Sequence, residues 1–191
     1  MVKETERLEM RPGLPEALRV LLEEYPREAW DADPGFSGLI RFWLDRHLMF
    51  RRLLAAMVER GEAAAEGKTD PRRFAAELSR LGSLFTGELH GHHMIEDQHY
   101  FPRLRGLDAR VEHGFDLLDA DHQDLDAHLS AFAETANAAI RDIAEDRPHD
   151  AALQAFLAGL EGTGRFLDRH LTDEEDLIVP VLLKYGSDGL G

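Results

Sequence analysis

The stretch His92-His93-Met94-Ile95-Glu96-Asp97-Gln98-His99-Tyr100-Phe101-Pro102 holds side chains that suit a metal ion. A His and a Glu four positions apart point about 40° apart on an α-helix, one turn up the axis, so both can reach one cation. The device returns in His170-Leu171-Thr172-Asp173-Glu174-Glu175-Asp176-Leu177-Ile178-Val179-Pro180. In both copies an acidic residue follows the Glu, and a Pro stands six positions beyond it. One His-x-x-x-Glu carries little information; two with matched trailers, each late in a long helical pattern, carry much more.

The elements that must position these residues are helical. From Phe36 to about Arg60, Ile40, Trp43, Leu44, His47, Leu54, Met57 and Val58 form one stripe, with a loop expected from Gly61 to Thr69. Asp70-Pro71 is an N-cap and first-turn signal for a second helix carrying Phe74, Leu78, Leu81, Phe85, Leu89, His92 and Glu96, expected to end before Pro102. A third, from about Asp108 to Ala144, aligns Leu118, His122, Leu125, Leu129, Phe132, Ala136 and Ile140. A fourth, from about Asp150 to Lys184, aligns Leu153, Phe156, Leu160, Leu167, His170, Glu174 and Leu177. Long helices with short connections and no strand pattern imply an all-α, antiparallel up-and-down four-helix bundle over residues 36–191.

Residues 1–35 read as an N-terminal helical extension packed on that bundle. Residues 1–14 are expected to be a loosely held arm, followed by a helix from Pro15 to Tyr25 and a loop around Trp30. The extension suits either a seal for one end of the bundle or a homodimer contact. Each half of the bundle repeats a helix with one inward His and a helix with His-x-x-x-Glu and a late Pro. Glycines interrupt both motif helices (Gly82, Gly87 and Gly91; Gly159, Gly162 and Gly164), where close helix approach is expected. Pro102 and Pro180 are expected to end or kink their helices.

Composition narrows the function. The 191 residues are 43% hydrophobic and 31% charged, which suits one soluble domain, or at most two small ones, with a proper core. A formal net charge of −15 argues against nucleic-acid and anionic-membrane partners. There is no cysteine, which excludes thiolate zinc and iron–sulfur sites and leaves nitrogen and oxygen as ligands. No apolar run reaches the ~18 residues of a membrane span, and Met1 to Met10 lacks a signal-peptide core, so a cytoplasmic location is expected.

If the four stripes face one axis, His47, His92, Glu96, His122, His170 and Glu174 converge. Four imidazoles and two carboxylates suit two ions with the carboxylates bridging, and iron, manganese and zinc all accept such donors. A metal-free interior would bury two unpartnered carboxylates, costing several kcal/mol each. His93 with Asp97 is a competing four-residue pair, but the Pro spacing and the Phe74-Leu78-Leu81-Phe85 stripe favour His92 with Glu96. His90, His93, His113, His128 and His149 are read as surface or supporting residues, and Asp173, Glu175 and Asp176 as solvated face.

The pattern of His47, His92 with Glu96, His122, and His170 with Glu174 resembles the hemerythrin-like (HHE cation-binding) family, over roughly residues 36–184. The resemblance implies a non-haem di-iron protein, its two irons oxo- or hydroxo-bridged, that binds or senses dioxygen or a related small ligand. Two departures stand out. The oxygen carriers have a fifth His one turn after the third-helix His, where Asp126 stands here, and their last carboxylate is an Asp five residues past its His. With four imidazoles, about two coordination positions stay open instead of about one, which also admits peroxide or nitric oxide and so a di-iron enzyme. Glu88, His99, Tyr100 and Asp126 are candidates to fill the gap. A metal-free helical interaction protein is the remaining alternative.

Overall fold

The computed structural model describes residues 2–187; the ends of the expected domains at Met1 and at 188–191 lie outside the described residues. The described chain is helical throughout. Short turns of 3-10 helix at Glu4–Glu6, Glu16–Leu18 and Arg27–Ala32 flank a brief helix α1 (Val20–Glu24). The long helices are α2 (Gly38–Ala65), α3 (Pro71–Ile95), α5 (Glu112–Ala144) and α6 (Asp150–Tyr185). Between α3 and α5 come a π-helical turn, Glu96–Tyr100, and a short α4 (Phe101–Leu104).

Helix ends follow local chemistry. Asp70 Oδ1 accepts the Arg73 amide at 2.9 Å and caps α3. α2 overruns the expected stop at Arg60 by several residues. Gly61 is inside it because an added Cβ would lie 2.7 Å from Leu157 Cδ2, and Ala63 to Ala65 are strong helix formers. The turn falls at Gly67, where φ is 70° and the Lys68 amide reaches back to Ala63 O at 2.8 Å. Among the described residues, a Cβ at Gly87, Gly91, Gly162 or Gly164 would meet nothing within 4 Å, so the motif helices do not approach closely there.

α3 ends before Pro102 as expected, at Ile95, whereas Pro180 does not stop its helix. α6 runs through Pro180 to Tyr185, with Leu177, Ile178, Val179, Val181 and Leu182 all buried. Packing of that apolar run outweighs the ~3 kcal/mol an interior proline costs. Pro102 lies in the first turn of α4, directly after the π turn. A widened turn relieves the crowding between a proline ring and the carbonyl four residues before it.

The chain forms two compact units, each built from sections of the four long helices in antiparallel contact. One comprises Met1–Leu48, His92–Gln123 and Asp168–Gly191. Its apolar core includes Leu14, Leu18, Leu21, Trp30, Ile40, Trp43, Phe101, Phe115 and Leu118. Residues 2–14 are not loose there: Leu8, Arg11 and Leu14 are buried, Arg11 because two aspartates pair with it. The other unit comprises Met49–Gly91 and Asp124–Leu167. It is filled by Phe74, Phe85, Phe132 and Phe156, with Phe85–Phe132 and Phe132–Phe156 ring centroids 5.8 and 6.1 Å apart.

Candidate metal centre

All six expected residues lie in the first unit, and the structure brings them together with a seventh. His47 comes from α2, His92 and His93 from the end of α3, Glu96 from the π turn, His122 from α5, and His170 and Glu174 from α6. They fall into two groups, each with donor atoms within 4.8 Å of one another: His93, His122 and His170, and His47, His92, Glu96 and Glu174. Consecutive helical residues point about 100° apart, so His92 and His93 reach different groups. His93 thus joins the cluster beside His92, while Asp97, its partner in the competing pair, joins neither group and lies 2.8 Å from His122 Nδ1. His93 is 5% exposed and stacks on His122 at 4.0 Å, which corrects its expected place at the surface.

Each glutamate spans both groups. Glu96 sets Oε1 2.9 Å from His92 Nε2 and Oε2 3.7 Å from His122 Nε2. Glu174 sets Oε1 3.4 Å from His47 Nε2 and Oε2 3.3 Å from His170 Nε2. These contacts are out of line for hydrogen bonds. The buried atoms His93 Nε2, both Glu96 oxygens, His122 Nε2, His170 Nε2 and Glu174 Oε2 have no hydrogen-bond partner. Each orphan costs ~1–3 kcal/mol unless something else satisfies it. Nitrogen and oxygen atoms converging in this way from several helices fit a cation site, since a bound cation would give such atoms the partner they lack.

A ring of carboxylates orients the imidazoles. His47 Nδ1 lies 3.0 Å from Glu175 Oε1, His122 Nδ1 lies 2.8 Å from Asp97 Oδ1, and His170 Nδ1 lies 3.4 Å from Asp121 Oδ2. A carboxylate only accepts, so each of these Nδ1 atoms donates and each Nε2 is turned to the centre, where His47 Nε2 lies 3.1 Å from His92 Nε2. The Trp43 indole N–H donates to Glu174 Oε1.

The electrostatics without a cation are strained. Burial, with Glu174 beside it, pushes Glu96 well above the ordinary carboxylate range. Burial also acts to raise Glu174, but His47 and His170 outweigh it and hold that carboxylate well below its usual range. Burial, with neighbouring imidazoles, drops His92 to about 3 and takes His93 well below its usual value. For His170 burial is overcome by Asp121 and Glu174, and its pKa rises to about 9. Such opposed shifts in one buried cluster mark a functional site.

Among the described residues, Glu88, His99 and Asp126 join neither group: His99 and Asp126 are exposed and Glu88 is half-buried. Half-buried Tyr100 packs on Trp43 at 4.9 Å. Among the described residues, His90, His113, His128 and His149 join neither group. The acidic run of α6 is not a solvated face. Asp173 and Glu175 are buried with Glu174, because Arg11, Arg27 and His47 pair with them.

The sequence profile described as Hemerythrin HHE cation binding domain matches residues 38–188. The chain belongs to that family. No curated protein and no solved structure matches it. The HHE profile accounts for a cation site and for the helices that carry it. Two features escaped the sequence reading. One is His93, whose signal was the Thr86-Gly87 step that precedes it as Thr163-Gly164 precedes His170. The other is the supporting carboxylates, each adjacent in sequence to a residue of the cluster: Asp97 after Glu96, Asp121 before His122, Glu175 after Glu174.

Proposed function

We propose that this HHE domain holds two iron ions through His47, His92, His93, Glu96, His122, His170 and Glu174, and binds dioxygen or a related small ligand at one of them. The observation that carries the reading is that both glutamates turn one oxygen toward each group of imidazoles. Of the donors present, His93, His122 and His170 would hold one ion and His47 and His92 the other, with Glu96 and Glu174 shared between them. The group with two histidines would therefore keep the open position for the small ligand. His93 therefore supplies from α3 the imidazole that Asp126 cannot.

Bound iron supplies the redox chemistry that dioxygen binding requires, and the chain's own residues shape the access. Trp43, with Tyr100 packed on it, stands against His92 on the side with the open position, the Trp43 and His92 ring centroids being 6.1 Å apart. Trp43 also holds Glu174 in place through its indole N–H. The carboxylates behind His47, His122 and His170 fix the ring nitrogen that each presents.

The test is to load the chain anaerobically with ferrous iron, admit dioxygen, and record the visible spectrum. Two irons per chain and a coloured adduct that disappears when oxygen is removed are expected. Irreversible oxidation with rapid consumption of peroxide or nitric oxide would assign catalysis instead, and a chain that takes up no iron would end the reading.

A further inference from the structure

Two arginines outside the matched HHE region reach the carboxylates that hold the cluster's histidines. Arg11 is buried and brackets Asp121, with Nη1 3.0 Å from Oδ1 and Nη2 2.5 Å from Oδ2, while its Nε donates to Asp173 Oδ2 at 2.9 Å. Asp121 is the residue behind His170 Nδ1. Arg27 donates from Nη1 to Glu175 Oε2 at 3.0 Å, and Glu175 Oε1 is the atom behind His47 Nδ1. Arg27 also bonds Asp176 Oδ1 and Thr172 O, and its guanidinium lies over the Trp30 ring at 4.9 Å, which fixes its place. Each group of imidazoles is thus reached by one arginine, through one carboxylate and one histidine.

We infer that Arg11 and Arg27 are positioning residues that make the N-terminal segment part of the metal centre and raise its reduction potential. This rests on the di-iron reading above. A histidine that gives its Nδ1 proton to a carboxylate becomes a more basic ligand, which favours the oxidised metal. An arginine on the far side of that carboxylate draws its charge away and moderates the effect. Its own positive charge, buried or partly buried nearby, also disfavours the more positive oxidation state. Both influences have the same sign. A purely structural clamp needs two arginines no more than it needs two apolar contacts, because Leu8, Leu14, Leu18 and Leu21 already bury the segment.

The experiment is redox titration of the full-length chain loaded with ferrous iron, with iron counted per chain and the metal-free fold checked by circular dichroism. Arg11→Gln and Arg27→Gln are each expected to keep two irons and to shift the midpoint potential downward. The Arg11 shift is the larger, since its side chain is 3% exposed against 39% for Arg27. Arg11→Lys and Arg27→Lys, which keep the charge, are expected to recover most of the wild-type potential. Should Arg11→Gln fail to fold, Arg27→Gln, nearer the solvent, carries the test alone. An unchanged potential with two irons bound overturns the inference, and so does a lysine variant that shifts as far as the glutamine one. A wild-type chain without an iron pair overturns both this and the di-iron reading, and the iron count tells the two failures apart.

Discussion

The same four helices build two interiors that differ in character: one is filled with apolar side chains, and the other sets a cluster of imidazoles and carboxylates beside its own apolar core. In the unit of residues 49–91 and 124–167, inward positions carry phenylalanine and leucine, and Phe50, Phe85 and Phe156 are fully buried. In the other unit the corresponding stripes carry five imidazoles, two glutamates and the carboxylates behind them. Helical periodicity is indifferent to this choice, because it specifies only which positions face inward. The apolar section gains stability from burial alone. The polar section buries titratable groups with too few partners of their own, a cost that bound cations would offset under the proposed function.

The sharpest way to break this contrast is to remove a shared carboxylate. Glu174→Ala is expected to reduce iron from two per chain to one or none by elemental analysis, and unchanged stoichiometry would remove its bridging role. Next is Phe132→Ala in the apolar section. Loss of a fully packed ring costs about 3–5 kcal/mol in denaturant unfolding, yet two irons per folded chain remain. If that variant loses iron while folded, the two interiors are not separate in function.

Acid provides a subtler test on the metal-free protein. His92 has a pKa of about 3 in the folded chain against an ordinary 6.5, so as pH falls below 6.5 the unfolded chain takes up a proton that the folded chain refuses. That term is absent above 6.5 and lowers stability progressively below it. His170, raised to about 9, has the opposite sign: it adds stability in full below 6.5 and loses it as pH rises through 9. Thermal melting across this range is expected to show His92→Gln less acid-sensitive than wild type between 6.5 and the acid limb, and an identical slope would refute the assignment. Smallest of all is His99→Ala, which is exposed and expected to leave iron content unchanged; loss of an iron would make it a ligand.

Much of the polar interior was readable from residue spacing, because a metal cluster needs long-range convergence that only a few residue types supply. His47, His92, Glu96, His122, His170 and Glu174 were each marked by an inward position on a helical stripe. His93 was not, since one helix stripe has room for only one of two adjacent histidines, and the breadth of the cluster, two groups side by side, is a tertiary property. Asp173 and Glu175 were misjudged as solvated for a related reason. Their partners Arg11 and Arg27 are about 150 residues away in sequence, and charge pairing over that distance leaves no periodic trace. α3 does end before Pro102, as expected, whereas Pro180 misled because packing around Leu177 to Leu182 overrides a local rule.

The most direct measurement is a crystal structure of the iron-loaded chain with an anomalous difference map at the iron edge. Two peaks are expected, one in contact with His93, His122 and His170 and the other with His47 and His92, each also touching Glu96 and Glu174. A single peak, or none, with ordered water bonded to those seven side chains would contradict the di-iron centre.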